Sequence, residues 1–171
     1  MTKPEALRKT GDLPDHARRS RERKRAEALA MGMDEAFVSE LVDRFYATVR
    51  ADDLLGPIFS AAVADWPEHL ARLKQFWRSI LHSSGEFTGN PMRTHMALGQ
   101  LDEAHFARWL NLFYATLEGM EASDAAYREV GTRARMIADS LLTGMTMQRT
   151  GLSGARAGDA LPYPAKPTGR N

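Results

Sequence analysis

The sequence predicts an all-α fold, and three observations carry that prediction. Apolar residues recur at helical spacing in successive segments, several segments open on residues suited to a helix start, and no stretch alternates apolar and polar side chains as a half-buried strand would. From the N-cap candidate Asp34, a stripe of Phe37, Val38, Leu41, Val42, Phe45, Tyr46 and Val49 predicts a helix ending near Arg50. The following DDLLGPIF reads as a turn, because Gly56 and Pro57 interrupt a helix while Leu54, Leu55, Ile58 and Phe59 remain available for burial. A second long helix is predicted over Trp66 to Ser83, with Pro67 in its first turn and Trp66, Leu70, Leu73, Phe76, Trp77, Ile80 and Leu81 on one face. Asn90 and Pro91 then start a short helix of about eight residues. Asp102 caps another helix, which runs to residue 118 with Phe106, Trp109, Leu110, Phe113, Tyr114 and Leu117 on one face and Gly119 as its terminator. The last helix runs from about Ser123 to Met147 and carries Tyr127, Val130, Met136, Ile137, Leu141 and Leu142.

The two ends differ from this middle. Residues 1–32 hold nine basic and five acidic residues and include the run Arg18, Arg19, Arg21, Arg23, Lys24 and Arg25, with little to bury. This basic extension reads as a solvated arm, helical over about Ala17 to Ala30. Residues 148–171, with three prolines in LPYPAKP, read as a flexible tail. Residues 33–147 form the predicted domain. The net charge of +1 divides into +4 and +3 at the ends and −6 in this body, which argues against the body being a nucleic-acid surface. The absence of cysteine excludes disulfides, thiolate metal sites and covalent haem attachment, and it fits a cytoplasmic setting. No signal-peptide core and no run near the roughly 18 apolar residues of a membrane span is present, so no membrane partner is expected.

Four polar-tipped side chains, Tyr46, His69, His95 and Trp109, fall in the apolar stripes of separate helices. Buried Tyr, Trp and His need hydrogen-bond partners, so helices converging on one core would gather several donors in a confined apolar space. Such a space suits a flat cofactor, and a neutral imidazole is a good iron ligand. Spacing alone leaves the question open: a histidine on an apolar helix face is more often a hydrogen-bonded core residue than a ligand, and amphipathic packing accounts for Tyr46 and Trp109 equally well. His16, His82 and His105 lie off the stripes and are expected to be exposed. HExxH, GxSxG, GxxxxGK[ST] and EF-hand patterns are absent, and Glu68–His69 has no second histidine at zinc-ligand spacing.

Read in order, FYATVR, LGPIF, W-P-x-H-L, F-W, G-N-P-M-x-x-H and H-F-x-x-W-L-x-L-F closely resemble the group III truncated haemoglobins over about residues 33–147. The specificity lies in the ordered spacing, with 23 residues from Tyr46 to His69, 26 from His69 to His95 and 14 from His95 to Trp109. The resemblance implies a truncated two-over-two helical globin sandwich holding haem b (iron protoporphyrin IX), with His95 as the proximal iron ligand. It implies Tyr46, His69 and Trp109 on the distal side, Phe45, Phe59, Leu73, Trp77 and Leu98 lining the porphyrin, and Arg72 near a haem propionate.

The expected function is reversible binding of oxygen and related diatomic ligands such as nitric oxide and carbon monoxide. Nitric oxide dioxygenation or peroxide chemistry is the alternative, and it would need an electron-donor reductase on a separate chain. A cofactor-free interaction module using the Arg18–Arg25 arm is the third reading.

Overall fold

A computed structural model describes residues 12–99, 101–151 and 156–165. Among the described residues there are seven helices and no strand: α1 Asp12–Ala30, α2 Glu35–Ala51, α3 Gly56–Ala62, α4 Trp66–His82, α5 Pro91–Met96, α6 Glu103–Gly119 and α7 Asp124–Thr150. None is long and apolar enough to cross a membrane.

The helix starts follow from capping chemistry. The side chains of Asp34, Asp65, Asn90, Asp102 and Ser123 each accept a backbone N–H from the first turn of α2, α4, α5, α6 and α7 respectively. At α6 the cap is reciprocal, because His105 Nδ1 also accepts the Asp102 N–H. His105, expected to be exposed, is therefore half-buried at a helix start.

Helix α2 is the centre of the packing. It lies against α3, α4 and α6, while α7 supports α6 and α5. Its Phe45 meets Phe113 of α6 edge-on at 5.0 Å, and Phe113 lies stacked between Trp77 of α4 at 5.2 Å and Trp109 at 5.3 Å. This aromatic column closes the interior. Offset stacks and edge contacts of this kind add to the stability that burial of the rings already supplies.

Several elements depart from the sequence reading. Residues 56–62 form a helix, α3, rather than continuing a turn, because Pro57 stands in its first turn, where a missing N–H costs nothing. Leu54 remains 41% exposed. Helix α5 is six residues long. Gly119 ends α6 as its last helical residue, and Glu121 takes the left-handed conformation, with φ 57°. Helix α7 continues past Met147 to Thr150, where Gly151 with φ 66° terminates it, and Met136 on its surface is 56% exposed.

Both ends are more engaged than their composition suggests. Although most of α1 is exposed, Ala28 in its last turn and Met33 beyond it are buried. His82, expected at the surface, is buried at the end of α4 and joins its Nε2 to the Met33 carbonyl at 2.5 Å. Residues 156–165 of the tail run back along α7. Leu161 is buried, Tyr114 donates its hydroxyl to the Pro162 carbonyl at 2.8 Å, and the buried Arg135 guanidinium donates to the Gly158 carbonyl at 3.1 Å beneath the Tyr163 ring. Gly131 eases this approach, since a Cβ there would lie 3.0 Å from the Pro164 side chain, a tight contact that Pro164 would have to relieve.

Candidate functional site

Helices α2, α3, α4 and α6 bring one group of predicted site residues together. Tyr46 is buried on α2, with its ring edge-on to Phe59 of α3 at 5.8 Å and to His69 of α4 at 5.9 Å. Trp109 of α6 meets Phe45 edge-on at 5.2 Å, and its indole is close enough to the Tyr46 phenol to lower the phenol pKa as a donor does. Because an indole can only donate, Trp109 acts on the Tyr46 oxygen as a donor, and the Tyr46 hydroxyl hydrogen stays available to another acceptor. Burial pushes the phenol pKa far above its ordinary value, an effect that outweighs the Trp109 hydrogen bond, so Tyr46 is a neutral donor at any physiological pH.

His69 stands half-buried beside this pair. Its Nε2 is closed off from solvent and has no hydrogen-bond partner among the described residues. An orphaned buried ring nitrogen marks a place where a further group belongs. Burial, followed by the positive charge of Arg72 and by repulsion from the His95 ring whenever that ring is protonated, lowers the His69 pKa, which favours the neutral ring. Trp66 closes the outer side, edge-on to His69 at 5.6 Å and stacked with Phe59 at 6.4 Å, with the Arg50 guanidinium 4.4 Å above its ring.

His95 stands on α5, whose start is set by Asn90 accepting the Arg93 N–H at 3.0 Å. Its Nδ1 is 2.7 Å from the Pro91 carbonyl one turn earlier. A carbonyl only accepts, so Nδ1 carries the hydrogen and Nε2 keeps the lone pair. Burial lowers the His95 pKa against the opposing effect of the Pro91 bond, which keeps the ring in the neutral form that can ligate a metal. Phe106 of α6 lies near the imidazole, with ring centres 6.5 Å apart.

The residues present fit a haem. Among the described residues no group of three or more His, Asp or Glu side chains could hold a bare metal ion. A single oriented imidazole suits an iron whose remaining protein-independent ligands come from a porphyrin, and an orienting carbonyl on the second ring nitrogen is the usual support for such a ligand.

The remaining predicted residues divide by burial. Phe45 and Trp77 are sealed inside the aromatic column, Phe59, Leu73 and Leu98 are partly open, and Arg72 is exposed without an ion pair among the described residues. Trp66 and Phe106 were visible only as members of apolar stripes, and nothing in their spacing marked them as neighbours of His69 and His95.

Comparison with known proteins identifies the family. The profile of the bacterial-like globin family matches residues 29–141. The Group 3 truncated hemoglobin ctb of Campylobacter jejuni is 32% identical over 110 residues, spanning 62% of this chain and 86% of that protein. The crystal structure of group III truncated hemoglobin from Campylobacter jejuni superposes with a TM-score of 0.62 at 29% identity, covering 70% of this chain and 94% of that one. The chain belongs to the bacterial-like globins and, within them, to the group III truncated haemoglobins. As a globin it is a haem-binding protein.

Proposed function

We propose that residues 33–147 form a globin domain that holds haem b through His95 Nε2 and reversibly binds oxygen, with carbon monoxide and nitric oxide as further ligands, on the side of Tyr46, His69 and Trp109. The observation that carries this reading is the fixed His95 ring, with its Nδ1 2.7 Å from the Pro91 carbonyl and its pKa lowered by burial. Haem held by His95 would supply an iron able to bind a diatomic ligand.

The chain's own residues set what that ligand meets. Tyr46 holds a hydroxyl hydrogen toward a polar guest, and Trp109 steadies the phenol by donating to its oxygen. A hydrogen bond in this low-dielectric space contributes about 1–3 kcal/mol when its acceptor carries partial charge, and less for a weakly polar ligand. His69, half-buried beside Trp66, stands where its motion would open or close access from solvent. Phe59, Leu73 and Leu98 offer apolar surface to the macrocycle, and Arg72, exposed and unpaired among the described residues, is free to meet a propionate.

Nitric oxide dioxygenation or peroxide chemistry with a separate reductase is the second reading. The Tyr46–Trp109 pair favours it, since donors that hold a polar ligand also polarise it.

Haem titration into the apoprotein tests the proposal. One haem per chain is expected, and His95→Ala is expected to bind it loosely enough to surrender it to a competing apoglobin within minutes. Equal retention by the variant would overturn the His95 assignment.

A further inference from the structure

Asp52 is the only buried carboxylate among the described residues, and it serves none of the roles above. It stands at the C-cap of α2. Its Oδ1 accepts the N–H groups of Leu54 at 3.1 Å and Leu55 at 3.0 Å, and its main-chain carbonyl accepts that of Gly56 at 2.8 Å. Its Oδ2 receives Arg108 Nε at 2.7 Å and Arg108 Nη2 at 2.6 Å. One side chain therefore joins the end of α2, the start of α3 and the first half of α6.

Those three helices carry Tyr46, Phe59 and Trp109. Tyr46 precedes Asp52 on α2, Phe59 lies on the helix that the Asp52 turn launches, and Trp109 follows Arg108 directly on α6. The turn itself has no slack, because a Cβ on Gly56 would come within 2.7 Å of the Arg50 carbonyl. The Asp52 side chain is 3% exposed and that of Arg108 51%, so the guanidinium is held from the water side over a carboxylate that the fold has enclosed. Loss of such a partner leaves a buried charge uncompensated and frees the elements it joined.

We infer that Asp52 and Arg108 are positioning residues that set the placement of Trp109 against Tyr46, and through it the preference of the site for polar over weakly polar diatomic ligands. The inference rests on the reading that Tyr46 faces the ligand. It concerns residues remote from the ligand, which act through α2 and α6.

The test uses the full haem-loaded chain, with Arg108→Gln and Asp52→Asn as probes and Arg108→Lys as a conservative control that keeps the charge but not the fork. Arg108→Gln is expected to speed oxygen release by about threefold to tenfold and carbon monoxide release by less than about twofold, the asymmetry expected of a change felt through Tyr46. Combined with Tyr46→Phe, it is expected to add less than about twofold to oxygen release, because the two changes act on one interaction. In the diamagnetic ferrous carbon monoxide form of the haem-loaded chain, the Trp109 indole N–H proton resonance is expected to move toward the frequency of a free indole in Arg108→Gln and Asp52→Asn, and to lie between this and wild type in Arg108→Lys.

A fall in Tm with unchanged oxygen release and an unmoved indole resonance would show a purely structural ion pair and overturn the proposal. Equal acceleration of both ligands, or a full Arg108→Gln effect persisting in the Tyr46→Phe background, would overturn it as well. If Tyr46→Phe alone leaves oxygen release unchanged, the underlying reading of the site fails and the inference with it. A normal Tyr46→Phe response beside a silent Arg108→Gln overturns this inference alone.

Discussion

The Tyr46 ring stands edge-on to the His69 imidazole at 5.9 Å, and the Trp109 indole acts as a donor on the same phenol, lowering its pKa against burial. An indole has one N–H and no acceptor, so a Trp109 turned toward the phenol leaves Tyr46 as the group that meets a ligand. Trp109 acts by fixing the phenol and, since linked hydrogen bonds polarise one another, by strengthening its O–H as a donor.

It follows that Tyr46→Phe raises the oxygen dissociation rate by about tenfold or more, the equivalent of about 1.4 kcal/mol, and carbon monoxide dissociation by less. Trp109→Phe acts in the same direction, and the double variant falls well short of the product of the two. Stopped-flow ligand replacement on the haem-loaded proteins measures all three. Equal effects on both ligands would contradict the donor role.

The two half-buried histidines of the site, His69 and His95, predict how acid acts. Their pKa values are lowered in the folded chain from 6.5, so the unfolded chain binds protons that the native one resists. Their contribution to stability is present in full above about pH 6.5 and is lost as pH falls through that value toward their lowered native values. Protonated His95 also has no lone pair to offer. Acidification below about pH 6 should therefore lower Tm and release haem together, read by calorimetry and Soret absorbance across a pH series. His95→Ala should lack the acid-linked change in haem affinity that wild type shows.

Haem itself should stabilise the fold. Covering on the order of 500 Å² of porphyrin at about 25 cal/mol per Å² sets an upper bound near 12 kcal/mol before ordering costs. Apoprotein should melt at a lower temperature than the loaded chain, with the largest loss of hydrogen-exchange protection in α5, whose six residues bury none of their side chains fully.

The tail should contribute measurably as well. Leu161 is 2% exposed and Pro164 packs on Gly131, so Leu161→Ala is expected to cost about 2 kcal/mol and to lower Tm by roughly 4–8 °C. Thermal unfolding of the loaded protein checks this. An unchanged Tm would mean that the strap contributes nothing to the fold.

Much of this was legible in the chain. Asp34, Asn90, Asp102 and Ser123 marked helix starts because capping is local chemistry that needs only the next few residues. The order and spacing of Tyr46, His69, His95 and Trp109 pointed to a family, whereas periodicity alone left each as a possible core residue. What stayed hidden depends on contacts distant in sequence. The Pro162 carbonyl meets Tyr114 across 48 positions and His82 meets Met33 across 49, so neither residue carries a local pattern that announces its burial. Helix α3 was obscured for a different reason: Gly56 and Pro57 are helix breakers in an interior, yet they stand at this helix's start. The Trp109–Tyr46 link could not be read from spacing, because it depends on how α6 is rotated against α2.

The central claim is most directly tested by the absorption spectrum of the purified, haem-reconstituted chain in its ferric, ferrous and oxygen-exposed forms. A Soret band at one haem per chain that shifts on reduction, shifts again with oxygen, returns when oxygen is removed and loses its histidine-ligated ferrous signature in His95→Ala is the predicted result. A chain that takes up no haem, or a spectrum unchanged by His95→Ala, would contradict it.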